Sequence, residues 1–70
     1  MNIQTILSEW RRMEGAWASF MFDEKKVDTA IQFNSDDPKL LKSLIKDNLK
    51  SIYKSIDDCI DALEKIRGEL

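Results

Sequence analysis

The chain has 70 residues, enough for one small domain, with 34% charged residues and a formal net charge of −2. That balance gives no global attraction to nucleic acid, and no apolar run approaches the ~18 residues of a membrane span. Met1–Gln4 carries neither the basic nor the apolar region of a signal peptide, so the expected setting is reducing and cytoplasmic.

A core of this size supplies roughly 3–5 kcal/mol, and small domains of this kind lean on a disulfide, a metal or an oligomer. Cys59 is the one cysteine and histidine is absent, so neither an internal disulfide nor the usual zinc spacings can be built. No cofactor or metal is expected. Association with another chain is the expected source of the missing stability.

In the first segment apolar residues fall at Ile3, Ile6, Trp10, Met13, Trp17, Phe20, Val27 and Ile31. Alternating steps of three and four predict a helix packed along a coiled-coil-like seam. Leu7 and Met21 widen the stripe. Glu24 occupies a seam position, where a carboxylate costs stability unless it reaches water or a partner. Gly15 lies mid-helix at a cost of ~1 kcal/mol relative to alanine. The run Asp23-Glu24-Lys25-Lys26 is a candidate break, but Val27 and Ile31 keep the phase, so one continuous helix over 2–33 is expected.

Asn34-Ser35-Asp36-Asp37-Pro38 ends that helix and starts another. Asp37 suits an N-cap and Pro38 the first helical position. Asn34 suits a left-handed helix end. After it, Ile45, Leu49, Ile52, Ile56, Cys59, Leu63, Ile66 and Leu70 repeat in strict four-three alternation, flanked by Leu41, Tyr53 and Ile60. This predicts a helix over 38–68 stopped by Gly68. A turn over 34–37 makes the two helices antiparallel neighbours. The expected fold is all-α, a two-helix hairpin completed to a bundle by a second chain.

Catalytic constellations are missing. Without histidine there is no Ser-His-Asp or Cys-His arrangement, and neither Gly15 nor Gly68 belongs to a phosphate-cradling loop. Asp57, Asp61 and Glu64 share a helix face that could hold a divalent cation, but Lys54 and Lys65 stand at pairing distance in sequence. Lys39, Lys42, Lys46, Lys50 and Lys54 make a basic stripe that continues as those acids, a layout suited to two copies packed antiparallel. The acidic half and the lack of interleaved aromatics argue against nucleic acid.

Between Met13 and Phe22 only Glu14 and Ser19 are polar. A helix apolar on most sides is buried on most sides. Gly15, Ala18, Phe22, Thr29 and Phe33 fall roughly opposite the seam, where one hairpin cannot cover them. The expected partner-binding residues are therefore Trp10, Gly15, Trp17, Ala18, Phe22 and Phe33. The acidic balance makes a membrane a poor partner for them.

The turn Ser35-Asp36-Asp37-Pro38-Lys39-Leu40-Leu41 resembles that of type III secretion needle subunits, small helical hairpins whose proline-bearing turn is followed by leucines. The resemblance covers these seven residues and implies a helical hairpin. The second-helix pattern and flexible polar N-terminal stretch of that family are not present. In overall plan the chain is also similar to the small helical co-chaperones of those systems.

The expected function is non-enzymatic protein binding: a small adaptor, chaperone or inhibitor that holds another protein through an apolar helix face. Its rival is a self-assembling homo-oligomeric bundle. Nucleic-acid binding through the lysine stripe is a third reading. No small-molecule substrate is expected.

Overall fold

Each helix begins at a side chain that replaces a missing backbone acceptor. Asn2 Oδ1 accepts from the Thr5 amide at 3.2 Å, and Asp37 Oδ1 accepts from the Leu40 amide at 3.2 Å. In the computed structural model, which describes residues 1–70, α1 spans Ile3–Asn34 and α2 spans Pro38–Glu69. The two run antiparallel, and their Cα atoms fit within 53 × 13 × 12 Å. There is no strand, and no helix is long and apolar enough to cross a membrane.

Pro38 occupies the first turn of α2 as its fixed φ favours. Two end signals act differently from expectation. No residue adopts a positive φ, so Asn34 does not end α1 in a left-handed conformation. Its Nδ2 donates to the Ala30 carbonyl at 3.2 Å instead, and its own carbonyl accepts from the Asp37 amide at 3.0 Å. The second bond satisfies a carbonyl of the last turn, which would otherwise lack a partner. Gly68 does not stop α2, which continues to Glu69. Asp23–Lys26 does not break α1.

The main departure lies in the seam. Ile6, Met13, Phe20 and Val27 face α2 as expected, but Trp10, Trp17 and Ile31 do not; Glu9, Ala16, Asp23 and Ala30 take their place. The same exchange occurs in α2. Ile45, Ile52, Cys59 and Ile66 face inward, accompanied by Asn48, Ser55, Ala62 and Glu69 rather than Leu49, Ile56, Leu63 and Leu70. Each helix is thus turned by about 50°, half the ~100° step between residues. The observed period is the expected one; the face that meets the partner helix is not.

Side-chain size accounts for the choice. Ala16, Ala30, Ser55 and Ala62, at four of the eight exchanged seam positions, allow two backbones to approach closely. Ala62 is fully enclosed, with 0% of its surface exposed. An indole there would force the helices apart and forfeit packing along the whole seam.

Polar seam residues are satisfied. Ser51 Oγ donates to Asp23 Oδ2 at 2.5 Å, and Lys26 Nζ lies 3.9 Å from the other Asp23 oxygen. Arg12 holds the Glu9 carboxylate at 2.7 Å. Cys59 Sγ donates to the Met13 carbonyl at 3.6 Å. No buried side-chain polar atom lacks a partner.

Candidate interaction surface

The register sorts the surface into two unlike sides. In antiparallel helices, residues displaced in the same sense from each seam come to one side of the pair. The structure shows this on its polar side, where Arg12, Gly15 and Ser19 line one groove with Ser51, Lys54 and Asp58. Arg12 Nη2 donates to Asp61 Oδ2 at 2.6 Å there, and Lys65 Nζ lies 3.5 Å from the same oxygen. The Arg12 hydrogen bond, aided by Lys65, holds the Asp61 carboxyl below the usual carboxylate range.

The opposite side carries the displaced large residues. From α1 come Ile3, Trp10, Trp17 and Ile31, with Leu7 and Met21 at the rim; all are exposed, Trp10 at 48% and Trp17 at 55%. From α2 come Leu49, Ile56, Leu63 and Leu70, with Tyr53 and Ile60 at the rim, likewise exposed. Trp17 stacks on Phe20 with ring centroids 5.2 Å apart. Since Phe20 belongs to the seam, the stack anchors an exposed indole to the hairpin interior.

The six residues expected to bind a partner are not brought together on one surface. Trp10 and Trp17 lie on the apolar side. Gly15 and Phe22 border grooves on the polar side. Lys26 Nζ stands 4.4 Å over the Phe22 ring, a cation–π contact that occupies one of its faces. Phe33 is 75% exposed near the turn, away from the tryptophans, and Ala18 is exposed on the outer side of α1. A Cβ added at Gly15 would meet nothing within 4 Å. The remaining members of the apolar side, Leu49, Ile56 and Leu63, appeared in the sequence as seam residues. The alanines and serine at heptad spacing were the available sign that they are not.

The charges of the apolar side are largely segregated by helix. Those from α1 are Glu14, Glu24 and Asp28, all acidic; those from α2 are Lys39, Lys42, Lys46 and Arg67, with Glu64 beside Arg67 at the end away from the turn. Asp28 also accepts from Gln32 Nε2 at 3.3 Å. Among the other acids of α2, Asp61 is engaged by Arg12 and Lys65 on the polar side. No group of three or more acidic or cysteine side chains is placed to hold a metal ion.

No family model, curated protein or solved structure matches the chain.

Proposed function

We propose that this chain is a non-enzymatic protein–protein interaction module whose working surface is the apolar side bearing Trp10, Trp17, Ile56 and Leu63. The supporting observation is the imbalance between what the hairpin buries and what it leaves in water. Its buried apolar residues are Ala30 and Ala62, and no large side chain is fully buried, while two tryptophans stay half exposed. A contiguous apolar side of this extent marks an interaction site, and tryptophan is the residue most enriched at energetic centres of interfaces.

The chemistry of the chain agrees with this reading. Its single thiol is turned into the seam toward the Met13 carbonyl rather than toward a cleft. An adaptor, chaperone or inhibitor would use the surface to hold an amphipathic helix of another protein in the shallow channel between α1 and α2.

Indole fluorescence tests the assignment, because Trp10 and Trp17 are the chain's only tryptophans and both lie on this side. At high dilution, emission should resemble that of solvated tryptophan and be readily quenched by acrylamide. It should shift to the blue and lose quenching when the surface is covered. Protected indoles in a dilute monomer would sink the reading.

A further inference from the structure

We infer that the occupant of the apolar side is a second copy of this chain, packed so that α1 of each copy lies on α2 of the other with both turns at the same end. The inference rests on the reading of that side as an interaction surface and adds its partner and orientation.

Area is the first argument. A side 53 Å long and two helices, about 20 Å, wide covers on the order of 1,000 Å². Each partner in a standard stable interface contributes ~800 Å². A single added helix would cover about half of the surface, and a second hairpin covers all of it.

Charge supplies the orientation. Two hairpins can stack face to face with aligned helices about either of two symmetry axes. An axis across the helices lays α1 on α1 and α2 on α2 in reversed direction, bringing Glu14 of one copy near Glu24 of the other and Lys42 near Arg67. An axis along the helices lays α1 on the partner's α2, acids against bases. Like charges brought together across an interface are penalised, so segregation by helix selects the second arrangement.

Register supports it. Asp23 and Ser51 stand at one level in the hairpin, joined by a hydrogen bond. Five residues further toward the turn on each strand of the hairpin, Asp28 and Lys46 share a level. An axis along the helices preserves levels between copies, so Asp28 of one copy meets Lys46 of the other, with Glu24 one turn away. Glu24, exposed outside the hairpin seam, thereby gains a cationic neighbour.

The test uses the full chain. Light scattering at micromolar concentration should give twice the 8.2 kDa monomer mass. Spin labels on Ser35→Cys, in a Cys59→Ala background whose helicity is checked by circular dichroism, should report turn-to-turn distances within roughly 20 Å, since packed helices lie 8–10 Å apart. Asp28→Lys and Lys46→Glu should each weaken dimerisation several-fold, and together restore it. A dimer with labels near the 53 Å molecular length, or without charge rescue, overturns the proposed packing. A monomer with solvated indoles overturns the second copy while leaving the interaction surface standing. A monomer with shielded indoles overturns both.

Discussion

Trp17 and Phe20 stack at 5.2 Å although they belong to different surfaces, Phe20 to the hairpin seam and Trp17 to the exposed apolar side. The pair predicts unequal costs of truncation. Phe20→Ala removes packing between the helices and should cost the monomer roughly 2 kcal/mol or more, toward the lower end of the range for aromatic core truncations because Phe20 is only half-buried. Trp17→Ala removes a stack on an exposed ring and should cost about 0.5–1.5 kcal/mol. Urea unfolding below the concentration of self-association would measure both. A reversed order would put Trp17 in the seam and restore the register read from the large residues.

A complementary test adds volume instead of removing it. Ala62 has no exposed surface and faces α1. Ala62→Leu should destabilise the hairpin by about 1–3 kcal/mol through overpacking. Leu63→Ala, one residue on, should leave the dilute monomer almost unchanged and weaken association. Equal tolerance of the two substitutions in the monomer would contradict the close approach that the small residues permit.

Periodicity located both helices and the turn, because steps of three and four, Asp37 at the cap and Pro38 after it are local signals. Yet Ile6, Met13, Phe20 and Val27 are flanked by two candidate half-seams, one large and apolar, one small. Choosing the large one assumed that the most hydrophobic face meets the chain's own other helix. That assumption holds for an isolated domain. It fails here, where smaller or polar residues such as Ala30, Ser55 and Ala62 fill the seam and the tryptophans stay exposed. Phe22 and Phe33, expected opposite the seam, are exposed at 63% and 75%.

Asp23 and Ser51 form the polar link in mid-seam, with Asp23 itself buried. Removing either partner alone confounds the lost bond with relief of a buried carboxylate. A double-mutant cycle with Asp23→Ala and Ser51→Ala separates them. The coupling energy should be about 1.5–3 kcal/mol, the range for a hydrogen bond to a charged group. A value near zero would mean that the Asp23–Ser51 bond contributes nothing to hairpin stability in solution.

Gly15 carries a helical backbone with open space where a Cβ would stand. Gly15→Ala should therefore stabilise the chain by roughly 0.5–1 kcal/mol, through the entropy lost by the unfolded glycine. For a domain of this size that is a rise of several degrees in Tm. Because Gly15 borders the polar groove, dimerisation should be unaffected. Weaker association in Gly15→Ala would assign the close helix approach to the wrong side of α1.

The Arg12–Asp61 bond makes stability depend on acid in a defined direction. Arg12 holds the Asp61 carboxyl below its ordinary range. A carboxylate with a lowered folded-state pKa stabilises the fold fully above its unfolded value, and that contribution is lost as pH falls through the folded value. The wild-type Tm should exceed that of Asp61→Asn at neutral pH. The gap should persist down to the usual carboxylate range and close below it, as protonation makes the two chains alike. Arg12→Gln should narrow the neutral gap by the same linkage, because Arg12 is the main cause of the shift. Both side chains are substantially exposed, so the gap should also shrink in high salt. Thermal melts of the wild type, Asp61→Asn, Arg12→Gln and the double variant from pH 7 to pH 2 would decide it. A gap that stays constant across that range would show that Asp61 acts through shape and not through charge.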